Sequence, residues 1–377
     1  MSKLPVLNLG ADPHERGQVQ GRALSGSVRS NVSTYLARFG LVGVSPADAL
    51  GAAERWLEYI RKDNPGYAEE MAGIADGAGM SEVEVTLLNA RYEITYEVYA
   101  LEAAQARESG HLIEQEGCTL FGLMPERTEN GSCMIGQNWD WLAGVSGHCF
   151  IKRVSRGDRP DQGPPSFVGF SEAGIVGCKI GINQAGIGLC IAGLVSDGDG
   201  RNGMRKPMHV RCAEVLDAWR FSDALLPIVH SDRTCSTNFL LGHGDGEIIN
   251  VEATSNLCAY TFPQNGVITH SNNLAQERRV ASQMERLSPS TLFRAERVRR
   301  HLAGKQEPVG IDDIRQIMSD HFSHPQSVCM HPDDRQPEER RYKTITSVAL
   351  DLTNRVLFAT NGAPCEGPYE SYPVAGQ

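Results

Sequence analysis

The 377-residue chain has no uninterrupted apolar stretch near the roughly 18 residues a membrane-spanning helix needs, and residues 1–10 lack the apolar run of a secretory signal. A cytosolic protein without a membrane partner is therefore expected. Excess positive charge is also missing: 36 Lys and Arg stand against 46 Asp and Glu, for a net charge of −10. A nucleic-acid ligand, which needs a basic surface to displace counterions, is not expected. The one basic stretch, from Gln276 to Lys305 with Arg278, Arg279, Arg286, Arg294, Arg297, Arg299 and Arg300, is interrupted by Glu277, Glu285 and Glu296. It reads as the solvated face of a helix.

Closely spaced cysteine pairs are absent too. The ten cysteines are spread singly, with none before residue 118 and no pair at zinc-knuckle spacing, so most are expected to be small buried apolar groups rather than disulfide or metal ligands. No Gly-rich phosphate cradle and no His-Glu-x-x-His signature occurs. His321, His324 and His331 lie in a polar segment beside Asp320, Asp333 and Asp334, the surroundings of a solvated loop, so no metal site and no cofactor is expected.

Among the features present, residues 1–105 read as helical. Ser45-Pro46-Ala47-Asp48 combines an N-cap serine, a first-turn proline and a third-position acid, which predicts a helix from Pro46 to about Lys62. Ser81-Glu82-Val83-Glu84 predicts another, to about Ala100, with Val85, Leu88, Tyr92, Tyr96 and Tyr99 on one face. An earlier helix, about His14 to Leu36, contains Gly17, Gly21 and Gly26, glycines best explained by close packing against another element. From 118 the pattern changes to short strands. Cys118 to Met124 and Ser132 to Trp141 flank a loop ending in Asn130-Gly131, which predicts an antiparallel hairpin. Further strands are predicted near 167–170, 176–182, 187–194, 239–241, 248–252, 257–261 and 267–270, helices near 207–219, 222–230 and 276–320, and a last hairpin over 342–350 and 355–359. Helices, meandering strands, helices and strands again imply an α+β fold of antiparallel sheets covered by helices, not alternating βαβ units.

Three local groups carry candidate chemistry. In Gln115-Glu116-Gly117-Cys118-Thr119 a polar segment, the best linker candidate over 105–116, ends in glycine and is followed by a thiol that opens an apolar strand. A thiol there can attack the preceding carbonyl, and hydrolysis would leave Cys118 as an N-terminus whose α-amine acts as its base. For a lone Gly-Cys pair the ordinary reading is a buried strand cysteine. The hairpin places the residue facing Cys118 at about 138–142, which includes Asp140, flanked by Trp139 and Trp141. Thr269-His270-Ser271-Asn272-Asn273 ends a strand, and an asparagine amide there suits an oxyanion donor, although such residues more often make a turn. A conventional cysteine–histidine hydrolase would instead use His148, His243 or His270, whose spacing nothing fixes.

Together these residues resemble the acyl-coenzyme A:6-aminopenicillanic acid acyltransferase family, cysteine members of the N-terminal-nucleophile hydrolases that also include hydrolases of β-alanyl amines. The resemblance rests on Pro13-His14-Glu15-Arg16-Gly17 with Gly21, Tyr67 to Ala75, Asn89-Ala90-Arg91-Tyr92-Glu93, Gly117-Cys118-Thr119, Gly136-Gln137-Asn138-Trp139-Asp140, Glu172 to Gly177, Asn183 with Ala185-Gly186, and His270-Ser271-Asn272. It implies an αββα sandwich made as a precursor and cleaved between Gly117 and Cys118. It further implies Cys118 as nucleophile, Asp140 as supporting carboxylate, Asn272 as oxyanion donor and a substrate-contacting arginine, for which Arg341 fits better than its neighbour Arg340. The pieces 1–117 and 118–377 would form one composite domain held without a disulfide. They carry ten Lys and Arg against seventeen Asp and Glu, and 26 against 29. Hydrolysis of a small N-acyl amine is the expected reaction. Alternatives are acyl transfer with a coenzyme A thioester as donor, or a silent binding protein of the same fold. A homo-oligomer is left open.

Overall fold

The computed structural model describes residues 3–95 and 117–374. The proposed linker, with Tyr96 and Tyr99, lies outside the described residues. Strand β2 (Cys118–Leu123) and strand β3 (Met134–Leu142) form the expected antiparallel hairpin, with Cys118 opposite Trp139. Every residue of both strands is buried. Both faces must therefore be covered, so neither strand shows the apolar–polar alternation of a half-exposed sheet.

The inner face meets a second sheet. β2 and β3 belong to a six-stranded sheet in the order β11 (Val267–His270), β2, β3, β12 (Tyr342–Asp351), β13 (Val356–Ala359), β14 (Glu370–Pro373). The facing sheet has eight strands: β1 (Val6–Leu9), β4 (Cys149–Val154), β5 (Phe167–Glu172), β6 (Ile180–Asn183), β7 (Ile187–Gly193), β8 (Thr237–His243), β9 (Glu247–Ala253) and β10 (Cys258–Thr261). β2 and β3 contact β7 and β8 across the interface, and the backbone N–H of Ile191 donates to Gln137 Oε1 at 2.8 Å from one sheet to the other.

Helices cover both outer faces. Among the described residues the helices are, in chain order, α1 (Pro13–Ala23), α2 (Ser25–Gly40), α3 (Pro46–Asp63), α4 (Pro65–Ala78), α5 (Glu82–Asn89), α6 (Met208–Leu216), α7 (Phe221–Val229), α8 (Met284–Leu287), α9 (Thr291–Gly304) and α10 (Ile311–Met318). Met208, Cys212 and Val215 of α6 share a cluster with Leu189, Phe239 and Val251 outside the eight-stranded sheet. Val298 and Leu302 of α9 and Ile314 of α10 pack on Phe121 and Leu123 of the other. The fold is thus an αββα sandwich.

Helices α1 to α5 gather at one end of the sandwich, where Asn31 Nδ2 donates to Ala173 O at 2.9 Å and Asn89 Nδ2 to Gly174 O at 2.9 Å. Ser45 caps α3, and Ser81 and Glu84 form a complete capping box on α5. Gly17 and Gly21 do permit close packing: a Cβ on either would stand 2.3 Å from a carbonyl oxygen of α4, that of Glu70 or Ile74. Nothing approaches Gly26 in this way. The single helix expected over 14–36 is two, broken at Leu24, where φ is −121° and ψ 23°.

Three strands, β1, β4 and β14, escape the sequence pattern. β1 lies within the segment read as helical and pairs parallel with β4, so the sheets are not wholly antiparallel. No hairpin signal can reveal a pairing between residues so far apart in sequence. β14 is a polar edge strand ending in proline, tolerable there because an edge N–H has no ladder partner to lose. Among the described residues no helix is long and apolar enough to cross a membrane.

Candidate active site

The end of β2 places the Gly117-Cys118 peptide inside the protein. Asp140 N–H donates to Gly117 O at 2.9 Å, extending the β2–β3 ladder by one residue beyond Cys118. Cys118 N–H donates to Asn272 Oδ1 at 2.6 Å. The Cys118 carbonyl accepts from Ser271 Oγ at 3.1 Å and from Arg294 Nη1 at 2.7 Å. A side chain at 117 has no room, since a Cβ there would lie 2.9 Å from Met330 Cε, 3.0 Å from Asp140 Oδ2 and 3.1 Å from Arg294 Cζ. Glycine at this position is a packing requirement.

Cys118, Asp140 and Asn272 are therefore brought together as the sequence suggests, but Asn272 has an unexpected orientation. Its carbonyl oxygen, not its amide nitrogen, faces Cys118 and also accepts from Arg294 Nη2 at 2.9 Å. Its Nδ2 donates to Gly193 O at 2.9 Å, and its backbone N–H to Thr291 Oγ1 at 2.7 Å.

A β-bulge prepares Asp140. The β3–β12 register slips between Thr344 and Thr346, turning Thr344 Oγ1 to donate to Asp140 Oδ1 at 2.6 Å. Asp140 Oδ2 receives no hydrogen bond among the described residues and lies 3.9 Å from Arg294 Nη1. Burial dominates, raising the carboxyl to about 7 against the opposing pull of Arg294 and Thr344.

Arg294 is the principal residue missed. The sequence suggests a solvated helix face for it, yet it is fully buried, and burial lowers its pKa against the attraction of Asp140. A signal was available: Thr291, Arg294, Val298 and Leu302, the buried residues of α9, recur at helical spacing, which puts this arginine on the apolar stripe. Its neighbours conform to expectation, with Arg299 exposed and paired to Glu296.

Beside Cys118 lies a cavity of about 20 Å³, lined by Arg91, Trp139, Trp141, Lys179 and Ile191 among others. Such a volume holds roughly one water, so an acyl group would require it to widen. Lys179 Nζ sits 3.3 Å from the centroid of Trp139, and Arg91 Cζ 4.6 Å from that of Trp141. Both cations pair with the buried carboxylate of Glu172, which also accepts from Tyr35 at 2.6 Å. Burial alone would raise Glu172, but Arg91 and Lys179 outweigh it and hold the carboxylate at about 2. Burial lowers Lys179 to about 8 despite Glu172.

Arg341 is not among the residues that line this cavity. Its guanidinium contacts Asp334 Oδ1 at 3.2 Å and Gln336 O at 3.1 Å, within its own loop. Its neighbour Arg340 ends the short turn Glu338–Arg340 that precedes it. The three candidate histidines have other partners. His270 bonds Glu252 at 2.8 Å, His148 lies between Ser27 and Ser30, and His243 accepts from Asp245 N–H at 3.1 Å.

A family model described as acyl-coenzyme A:6-aminopenicillanic acid acyl-transferase matches residues 126–365, more than half of the chain. The chain belongs to this acyltransferase family. The matched residues include Asp140, Asn272 and Arg294 and begin just after the β2 strand that carries Cys118. The chain is 25% identical, over 84% of its length and 81% of the relative's, to the 40 kDa form of acyl-coenzyme A:6-aminopenicillanic-acid-acyltransferase from Emericella nidulans. Among solved structures it is similar to penicillin V acylase from Agrobacterium tumefaciens, with a TM-score of 0.44 and 15% identity over 65% of this chain and 83% of that one. It is also similar to a conjugated bile acid hydrolase mutant from Clostridium perfringens, with a TM-score of 0.47 and 13% identity over 68% and 93%.

Proposed function

We propose that this member of the acyltransferase family is a self-processing cysteine hydrolase of small N-acyl amines, working through an acyl thioester on Cys118. The observation that carries the reading is the glycyl-cysteine peptide held between Asp140 N–H and Asn272 Oδ1 at the mouth of an inner strand. In processing, Cys118 Sγ attacks the Gly117 carbonyl carbon and the C–N bond to Cys118 breaks. The thiol proton passes to the departing nitrogen, and water hydrolyses the resulting thioester to a Gly117 carboxylate and a free thiol.

Asn272 Oδ1 already accepts from the nitrogen that becomes the α-amine, so it would continue to hold that amine after cleavage. Asp140, once ionised, would favour the amine's charged form. In turnover the same thiol attacks a substrate carbonyl, the α-amine protonates the leaving amine, and water releases the acyl group. The Asn272 amide hydrogen not directed at Gly193 would serve the oxyanion. Arg91 and Lys179 are the cations at the cavity, and they replace Arg341 in our reading as contacts for a polar substrate group.

The second reading, acyl transfer from coenzyme A, is favoured by the name of the Emericella relative and differs only in which nucleophile receives the acyl group. N-terminal sequencing of the large fragment should read Cys-Thr-Leu-Phe, and Cys118→Ala should leave one uncut chain without turnover. Turnover retained in that variant would end the proposal. Mass spectrometry of Cys118 after exposure to N-acyl amines and acyl thioesters separates the two donors.

A further inference from the structure

Away from Cys118, four side chains that the sequence scatters over 45 residues converge on one point. They are His321, Cys329 and His331 of the loop after α10, and Cys365 of the segment after β13. Their ligand atoms all lie within 4.8 Å of one another. His321 Nε2 is 3.1 Å from His331 Nε2. Cys329 Sγ is 3.7 Å from His331 Nε2 and 3.6 Å from Cys365 Sγ, and Cys365 Sγ is 3.5 Å from His331 Nε2. These four separations are close to four of the six edges of a tetrahedron. With Zn–S bonds of about 2.3 Å and Zn–N bonds of about 2.0–2.1 Å, the edges are roughly 3.8 Å for S to S, 3.6 Å for S to N and 3.3 Å for N to N.

A disulfide is a poorer account. Its sulfurs would stand about 2.05 Å apart, and it leaves the convergence of two imidazole nitrogens on the same point unexplained.

We infer that His321, Cys329, His331 and Cys365 bind one zinc ion as a structural site. Two thiols would each lose a proton on binding, so two thiolates and two neutral imidazoles around Zn²⁺ give a site of no net charge. Four protein ligands leave no open position, which makes the site structural, and two soft sulfurs exclude magnesium and calcium. His321 is exposed as expected of a solvated loop, and the site is not visible in the sequence because the two sulfur ligands show no metal-binding spacing. Cys365 arrives from another element, and Cys329 is one of ten singly spaced cysteines.

The site would steady the catalytic region. On one side of Cys329, Val328 O accepts from Asn138 Nδ2 at 2.8 Å. On the other, Met330 N–H donates to Thr344 Oγ1 at 2.9 Å, and Thr344 N–H returns a bond to Met330 O at 3.0 Å. Thr344 is the partner of Asp140, and Met330 Cε packs on Gly117. Zinc would thus fasten the strap that carries Met330 to the chain following β13. It does so whether or not the Gly117–Cys118 bond is cut.

The test is elemental analysis of the full chain, produced without a histidine tag. About one zinc per chain is expected, falling several-fold in Cys365→Ser and in His321→Ala but not in Cys258→Ser, which lies outside the cluster. Cobalt added to the metal-free protein should give the visible bands of a tetrahedral site with thiolate charge transfer, weakened in Cys365→Ser. X-ray absorption of the unsubstituted zinc protein should show two sulfur and two nitrogen neighbours, a result that does not depend on the variants folding. Full zinc content in folded Cys365→Ser and His321→Ala overturns the assignment. So does a wild-type protein that takes up neither metal, including one with Cys329 and Cys365 joined in a disulfide.

Discussion

Replacing Asp140 by Asn, in a Cys118→Ala background that keeps the chain whole, isolates the electrostatics of the site. Asp140 is fully buried, bonded to Thr344 through Oδ1, with Oδ2 3.9 Å from Arg294. Its carboxyl titrates at about 7 instead of its ordinary 3.8 because burial penalises the charge. A group that holds its proton more tightly in the folded state contributes most stability while both states are protonated. That contribution falls as pH rises, beginning near 4 where the unfolded chain ionises and ending near 7 where the folded one does. Integrated from about pH 5 to about pH 8, the loss attributable to Asp140 is roughly 3 kcal/mol.

Asn has nothing to ionise, so urea unfolding at the two pH values should show the Asn variant lacking a slope of that size relative to the Cys118→Ala parent. Equal slopes in the two proteins would refute the reasoning, since Asp140 would then ionise no differently folded than unfolded. In a chain that retains Cys118, cleavage should accelerate with pH through about 7 as Asp140 ionises. The Asn variant should cleave on the order of 100-fold more slowly with a flatter profile.

Other perturbations address separate contacts. Gly117→Val forces atoms into Met330 and Asp140 and should slow cleavage at least about tenfold, since one ten-fold step needs only about 1.4 kcal/mol at the barrier; it is read as uncut chain on a denaturing gel. Gly17→Ala drives a Cβ to 2.3 Å from Glu70 O and should destabilise the α1–α4 contact by roughly 1–3 kcal/mol, visible by calorimetry as a lower Tm. Glu172→Gln leaves Arg91 and Lys179 without their carboxylate and should cost about 3–5 kcal/mol at neutral pH. Because Glu172 is held at about 2, its stabilisation is present above its usual 4.5 and lost as pH falls toward 2, so the gap between wild type and Gln variant, followed by acid unfolding, should close in that window.

Features that depend on a few neighbouring residues were legible in advance. The caps at Ser45 and Ser81, the hairpin around Asn130-Gly131 and the pairing of Cys118 within a residue of Asp140 all follow from short-range geometry. Gly17 and Gly21 announced a close contact, though not that Gly73 and Gly77 of α4 meet them in return. Asp140 between two tryptophans hinted at burial, and the structure buries all three.

Groups assembled from distant elements were not legible. Arg294 meets the Cys118 carbonyl only because α9 lies on β2, and its helical spacing marks a buried stripe without showing what that stripe faces. Arg91, Lys179 and Glu172 come from three separate segments, and only their meeting beside Cys118 gives them electrostatic meaning. Arg341 had suitable chemistry and spacing, but its loop binds its charge locally.

By itself the sequence determined most of the elements, the glycyl-cysteine junction and the net charge of −10, because each is set by local covalent order or by composition. Tertiary structure alone decided which charges share a buried volume, which way Asn272 faces and which four ligand atoms converge. Those outcomes depend on distances across the sandwich that no spacing along the chain encodes.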